Sequence, residues 1–115
     1  MRYFKNEEFN CPCCKDQHMD FDTVEMLISA RTFSDIPFII NSGWRCDKNN
    51  KNVGGKPSSS HLIGKAVDIK SVGSRNRFLI LYGLIYAGFH RIGIGETFIH
   101  ADTDHEKDEK VVWLY

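Results

Sequence analysis

The chain has 115 residues, of which 42% are hydrophobic and 26% charged, and its formal net charge is zero. This length and composition predict one compact soluble domain over residues 1–115, because a second core has no room. The balanced charge argues against nucleic acid as a partner, since nucleic-acid-binding proteins usually carry a basic excess or stripe.

The N-terminal sequence MRYFKNEEFNCPCC does not resemble a signal peptide, because charges and cysteines stand where an apolar segment is required. The longest apolar run, residues 78–89, is too short to span a bilayer and predicts a buried core helix. We therefore expect synthesis in the cytoplasm without a signal peptide, no stable membrane association and a monomer.

Four cysteines, Cys11, Cys13, Cys14 and Cys46, could in principle form two disulfides. Adjacent and i,i+2 cysteines are unfavourably placed for separate bridges, so buried free thiols in a reducing compartment are the simpler prediction. The alternative is a second, structural zinc bound by the first three cysteines and His18, although the paired Cys-x-x-Cys spacing of zinc knuckles is missing.

The predicted elements begin with a helix over residues 22–33, which has apolar residues at helical spacing and an Asp22–Glu25 pattern typical of a capping box. Pro37 blocks helix continuation, and PFIINSG predicts a short buried strand that runs into a turn. Residues 46–60 are polar and rich in glycine and serine, which predicts one long loop. Loops of this length in small domains are usually functional.

The second half of the chain contains most of the predicted strands. KAVDIK alternates in polarity and predicts a strand whose Val67 and Ile69 face inward. Ser74 is expected to cap a helix over residues 75–87 that ends at Gly88. FHRIGIG, TFIHAD and KVVWLY predict three further strands. Two helices among about five strands predict an α+β fold, and the closeness of the last strands favours antiparallel hairpins.

His61, Asp68 and His100 are candidate metal ligands, because two histidines and a carboxylate are a common donor set of catalytic zinc, which leaves its fourth position to water. Gly64 allows a tight reversal between the first two. Strand alternation places His100 and Asp102 on one face, together with Phe98. The His-x6-Asp spacing alone is weak evidence for a metal.

The run SSHLIGKAVDI, however, follows the pattern Ser-x-His-x-x-Gly-x-Ala-x-Asp. It resembles the signature of zinc D-Ala-D-Ala carboxypeptidases and related L-Ala-D-Glu endopeptidases, whose fold is shared with the signalling domain of hedgehog proteins. INSGWR and FIHADTD resemble further segments of a small, phage-associated branch of this family. The resemblance implies a mostly antiparallel sheet with two main helices, and one catalytic Zn²⁺ held by His61, Asp68 and His100.

The same resemblance implies substrate-binding residues and a general base. Arg45 matches the arginine that binds a substrate carboxylate or carbonyl, and Ser59 either contacts substrate or only shapes the turn. Larger family members place an acid three residues before the last zinc histidine, where this chain has Thr97. Asp102 is therefore the first candidate for the base and Glu96 the second, while a role for Asp102 in orienting a ligand is the alternative.

The function that the resemblance implies is hydrolysis of an amide bond in peptidoglycan stem peptides. The size of the chain and the lack of an export signal favour a phage-type lysis enzyme, released to the cell wall by a partner such as a holin. The alternative is a non-catalytic, zinc-containing binding module on the same scaffold.

Overall fold

The structure is a computed structural model that describes residues 4–115. Its regular elements, after a 3₁₀ helix at Asn6–Phe9, are α1 (Phe21–Ser34), β1 (Ile40–Ser42), α2 (Asp47–Asn52), β2 (Ala66–Lys70), α3 (Ser74–Tyr86), β3 (Arg91–Ile94), β4 (Phe98–Asp102) and β5 (Val111–Leu114). The predicted α+β class is confirmed, as are the strands placed in KAVDIK, FHRIGIG, TFIHAD and KVVWLY.

The five strands form one sheet in the order β1-β2-β4-β3-β5. All neighbours are antiparallel except β3 and β5, which run parallel. The prediction of hairpins is confirmed for β3 and β4 and is wrong for β5. Both edges of β4 are already paired, so the chain after β4 reaches the free edge of β3, where Val111 N–H donates to the His90 carbonyl. β5 therefore begins beside the first residue of β3, and from there it can only run in the same direction as β3.

The hydrophobic core lies between one face of the sheet and the two long helices. Strand alternation directs one set of side chains to this face and the other set to the opposite face. The core residues contributed by the strands and by α1 and α3 are Leu27, Ala30, Val67, Ile69, Ile80, Leu84, Ile92, Ile99 and Ala101. Gly83 lets the helices approach closely, because a Cβ there would lie 2.5 Å from the Ala30 carbonyl oxygen.

The helix boundaries follow the sequence closely, but the capping residues differ from prediction. α1 extends one residue beyond the predicted range at each end, and its N-cap is Asp20, whose side chain accepts a hydrogen bond from Thr23 N–H, rather than Asp22. Ser74 is the first residue of α3, and Gly73 stands at the N-cap position. Gly73 has a φ of +88° at this position, a conformation that a serine would not favour, so Ser74 is not the N-cap.

Two further expectations are wrong. Residues 46–60 are not one loop, because α2 forms within them and the Cys46 sulfur caps its N-terminus by accepting from Asn49 N–H. α3 is not buried all round, since Phe78, Tyr82 and Tyr86 are exposed. No helix in residues 4–115 is long and apolar enough to cross a membrane.

Candidate metal centre

The sheet face opposite the helices carries a row of residues that forms the floor of the candidate site. Asp68 on β2 pairs with His100 on β4, His100 with Gly93 on β3, and Gly93 with Trp113 on β5. A Cβ at Gly93 would lie 2.5 Å from Trp113 Nε1, so the glycine leaves room for the indole. The Trp113 ring consequently lies beside His100, with ring centroids 5.6 Å apart.

His61 reaches this row from the tight turn before β2. The turn is closed by a hydrogen bond of 3.1 Å from Lys65 N–H to the Ser60 carbonyl. Gly64 adopts a φ of +73° within it, and a side chain there would collide with the His18 carbonyl. The turn therefore needs a glycine, and it directs His61, which is only 3% exposed, toward Asp68.

The structure brings the three predicted ligands together. His61 Nε2 lies 3.3 Å from Asp68 Oδ1, and His100 Nδ1 lies 3.0 Å from the same oxygen. One ligand atom from each residue falls within 4.8 Å of the others. Donors at the usual zinc distances stand about 3.3 Å apart in a tetrahedral site. The three side chains, hereafter the histidine centre, therefore fit the ion in donor type and in spacing.

The second nitrogen of each imidazole faces an acceptor. His61 Nδ1 lies 2.8 Å from the Gly43 carbonyl oxygen, and His100 Nε2 lies 2.7 Å from Asp102 Oδ2. A carbonyl can only accept, so His61 Nδ1 carries the proton and Nε2 keeps its lone pair. In the neutral form of His100, Asp102 selects the Nε2–H tautomer in the same way. Acceptors behind metal-binding histidines commonly orient them like this.

Asp102 is 1% exposed, and both of its oxygens are engaged. Oδ2 faces His100, while Oδ1 accepts from Arg91 Nε at 2.8 Å and from Asp104 N–H at 3.1 Å. The Arg91 guanidinium in turn lies over the Trp113 ring. This geometry favours a role for Asp102 in orienting His100, which was the alternative to its assignment as general base.

Glu96 is placed differently. It lies exposed in the turn between β3 and β4, where its carbonyl accepts a hydrogen bond of 3.1 Å from Arg77 Nη2. It is not among the described residues that line the cavity in front of the histidine centre. The structure therefore brings Asp102 to the histidine centre and leaves Glu96 outside it.

Arg45 binds Oδ2 of Asp68, the carboxylate oxygen that does not face the two histidines. Nη2 donates to Asp68 Oδ2 at 3.3 Å, Nε to Ser42 Oγ at 3.1 Å, and Nη1 to Asn50 Oδ1 at 3.3 Å. These bonds use three of the five guanidinium donors. Within the described residues 4–115, Nη1 and Nη2 of Arg45 therefore each keep one N–H group that could donate to a bound molecule.

The cavity has a volume of about 550 Å³ and is predominantly basic. Its charged lining residues are Arg45, Lys56, Asp68, Arg91, Asp102 and Lys107. Ser59 also lines it, and its Oγ accepts from His61 N–H at 3.2 Å, so Ser59 shapes the turn from within reach of a ligand. A basic cavity beside a cation site favours ligands that carry carboxylates.

Sequence reasoning missed a polar network that supports the His61 turn. Ser60 Oγ donates to Asp104 Oδ2 at 2.7 Å, and Lys107 Nζ donates to the Ser58 carbonyl at 2.7 Å. Burial alone would raise the pKa of Asp104, but these donors and the Glu106 N–H hold it below its usual range. Ser60 and Asp104 are separated by 44 positions, so no local spacing pattern could have linked them.

The ionisable groups of the histidine centre stabilise one another. Burial opposes the charge on Asp68, but hydrogen bonds from His100 and His61 hold the pKa of its carboxyl well below its usual range. Burial also opposes the charge on His100, whereas Asp102 and Asp68 raise its pKa above the ordinary value. Asp102 and Asp68 thus stabilise the charged, doubly protonated form of His100, and a bound cation could replace one of its two ring protons.

The cysteines assemble in another way than predicted. Cys11 is buried, but Cys13 and Cys14 are exposed, so the prediction of buried free thiols is wrong for these two. His18 lies outside their group and contacts Asp16 instead, at 3.0 Å. Cys46 takes the fourth place, and the four sulfur atoms lie within 4.8 Å of one another.

Residues 2–102 match the family model of peptidase M15. No curated protein matches the chain. The matched region includes the histidine centre, Arg45 and Ser59, whereas Trp113 and the rest of β5 lie beyond it.

Proposed function

The chain belongs to the peptidase M15 family of metallopeptidases, and from this we propose that it is a zinc-dependent peptidase that hydrolyses an amide bond in peptidoglycan stem peptides. The observation that carries the proposal is the convergence of His61 Nε2, Asp68 Oδ1 and His100 Nδ1 on one point of a basic cavity. Zinc in such a site supplies Lewis-acid activation of water and of the scissile carbonyl.

Asp102 is the positioning residue of this centre. Its Oδ2 holds the proton on His100 Nε2, so the Nδ1 lone pair points toward Asp68 and the ion position. Arg91 and the Asp104 N–H keep the carboxylate from rotating. Without the carboxylate, the imidazole would lose its fixed tautomer and part of its basicity as a ligand.

Arg45 and the other basic residues that line the cavity would bind the carboxylates of the substrate. Stem peptides contain D-glutamate and end in a free carboxylate, and the two remaining N–H groups of Arg45, which lines the cavity, would donate to such a group. Phe98, Trp113 and Tyr115 line the same cavity and offer apolar surface to alanine methyl groups. Ser59 would contribute a further hydroxyl at the rim of the His61 turn.

Two bonds suit this arrangement, the terminal D-Ala-D-Ala bond and the L-Ala-D-Glu bond. We propose that the protein is made in the cytoplasm, acts as a monomer on the cell wall or in the periplasm, and serves in phage-type lysis after holin-type release. The support for this setting is the resemblance of INSGWR and FIHADTD to the small, phage-associated branch.

Zinc titration of cleavage tests the proposal. Protein freed of metal by a chelator is given increasing zinc, and release of product from a purified stem peptide is followed by chromatography. We expect cleavage to appear with zinc and to saturate once the histidine centre is filled. Zinc-loaded protein that leaves the peptide intact, with correct folding shown by circular dichroism, would refute the assignment as a peptidase.

One observation favours a second function, a zinc-containing binding module. Among the described residues, the carboxylates that line the cavity are Asp68 and Asp102, and both are engaged with histidine and arginine side chains. Neither carboxylate therefore has an oxygen without a partner that could take a proton from water. Calorimetry separates the two functions, because a binding module would bind the stem peptide and release it unchanged.

A further inference from the structure

Four sulfur atoms from two segments that are distant in the sequence meet in the structure. The Cys13 and Cys46 sulfurs lie 3.1 Å apart, those of Cys11 and Cys46 lie 3.5 Å apart, and those of Cys11 and Cys13 lie 3.6 Å apart. Cys14 completes the group, with all four within 4.8 Å. These four residues are called the thiol cluster below.

The thiol cluster has the dimensions of a tetrahedral metal site. Sulfur atoms at the usual distance of about 2.3 Å from zinc stand roughly 3.8 Å apart. Disulfide-bonded sulfurs are separated by about 2.05 Å, well below every distance in the cluster. A single disulfide between Cys13 and Cys46, whose sulfurs are 3.1 Å apart, would leave Cys11 and Cys14 as free thiols, whereas one ion uses all four.

The backbone of residues 11–16 forms a closed turn that gathers three of the thiols. Cys11 N–H donates to the Asp16 carbonyl at 2.8 Å, and Lys15 N–H donates back to the Cys11 carbonyl at 2.9 Å. Lys15 takes a φ of 61°, which reverses the chain.

The fourth thiol is held in place by independent contacts. Trp44 N–H donates to the Phe9 carbonyl at 3.1 Å, and Gly43 packs so tightly on Phe9 that a Cβ would lie 2.8 Å from its Cα. Cys46 follows directly and caps α2, where its sulfur accepts from Asn49 N–H at 3.4 Å. The approach of the two segments therefore does not depend on the sulfurs alone.

We propose that Cys11, Cys13, Cys14 and Cys46 bind a second Zn²⁺, which is structural. Four thiolates complete the coordination and leave no position for water, as in closed structural zinc sites. The ion would tie the N-terminal segment to residues 43–46. Residues 43–46 also contact the histidine centre, because the Gly43 carbonyl accepts from His61 and the Arg45 guanidinium donates to Asp68. The second ion would therefore also help to hold the residues that support the histidine centre.

The number of zinc ions per chain tests the proposal, compared between a variant of the thiol cluster and a variant of the histidine centre. The full chain is purified under reducing conditions from zinc-supplemented cultures, and zinc per chain is measured by mass spectrometry. We expect two ions in the wild type, one in Cys46→Ser and one in the matched control His100→Ala. After exchange into Co²⁺, the thiolate-to-metal charge-transfer absorption should persist in His100→Ala and vanish in Cys46→Ser.

A second variant and a wild-type measurement cover the case in which Cys46→Ser does not fold. Cys14→Ser alters an exposed ligand and should also lower the zinc content by one. In the wild type, the four thiols should react with a thiol reagent at least tenfold faster after chelation. Zinc content unchanged by either cysteine variant, equal thiol reactivity with and without chelator, or a Cys13–Cys46 disulfide in the isolated protein would overturn the proposal.

Discussion

The histidine centre and the thiol cluster are two clusters of metal-ligand type that differ in how they are built. In the histidine centre, Asp68 and His100 lie on paired strands and His61 lies in the tight turn before β2; both imidazoles are buried, and each has an acceptor behind it. The thiol cluster lies on a turn and a helix N-terminus, and two of its cysteines are exposed. We infer that the sheet preorganises the histidine centre, whereas the proposed second ion would order the thiol cluster.

The largest expected effect comes from removing the carboxylate ligand of the histidine centre. Asp68→Asn keeps the side-chain volume but removes the only negative donor among the three ligands, and it also weakens the contact with Arg45. We expect stem-peptide cleavage to fall to background. Circular dichroism should show an intact fold, and a Co²⁺ spectrum should show the thiol cluster still filled. Substantial residual cleavage would contradict the assignment.

The next effect concerns the support behind His100. Asp102→Asn should lower zinc affinity or cleavage by about 10–100-fold, because the tautomer of His100 is no longer fixed. Zinc affinity is measured by competition with a chromophoric chelator, and cleavage by initial rates at saturating zinc. Glu96→Gln is the matched control and should stay within about twofold of wild type, since Glu96 lies outside the cavity. A large loss of cleavage in Glu96→Gln at normal zinc affinity would instead identify it as the base.

Arg45→Lys tests the substrate side of the histidine centre. Lysine keeps the charge but loses the planar fork, and hydrogen bonds to charged groups contribute about 1.5–3 kcal/mol. We expect KM for the stem peptide to rise by at least about tenfold with zinc content unchanged. The finding that would count against this role is an unchanged KM, or a loss of zinc that accounts for the whole effect.

Thermal unfolding compares the two sites directly. Chelation should lower the Tm of the wild type by several degrees, since an ion at 100-fold its Kd stabilises the folded state by about 2.7 kcal/mol. We expect most of this chelator-sensitive shift to persist in Asp68→Asn and to disappear in Cys46→Ser. The reverse pattern would mean that the histidine centre, and not the thiol cluster, depends on metal for its order.

The smallest effect is a shift in the pH dependence of zinc binding. The pKa of His100 is raised above its ordinary value by Asp102 and Asp68. In metal-free protein this proton stabilises the fold below the unfolded pKa of about 6.5, and the stabilisation is lost as pH rises through the folded pKa. Zinc must displace this proton, so affinity should increase with pH up to the raised pKa of His100 in the folded protein and level off above it. A flat profile from pH 6 to 8 would contradict this coupling.

The sequence predicts well what depends on local periodicity. Alternation in KAVDIK places Val67 and Ile69 in the core and Asp68 on the other face, and the same rule puts His100 and Asp102 together on β4. The ends of α1 follow from the apolar spacing and Pro37. These features depend on residues a few positions apart, which a sequence displays directly.

What the sequence does not predict depends on long-range contacts. Arg91 holds Asp102 across a strand pair, and Cys46 joins cysteines more than 30 positions away. β5 runs parallel to β3 because both edges of β4 are occupied, which only the complete sheet decides. The exposure of Cys13 and Cys14 likewise follows from the shape of the closed turn and not from their residue type.

Mass spectrometry of a defined muropeptide tests the central claim most directly. The zinc-loaded protein and its Asp68→Asn variant are incubated with the same pentapeptide substrate, and the products are identified by mass. We predict one hydrolysed amide bond, either D-Ala-D-Ala or L-Ala-D-Glu, with the wild type and an unchanged substrate with the variant. An intact substrate with correctly folded, zinc-loaded wild type, or equal cleavage by Asp68→Asn, would contradict the account.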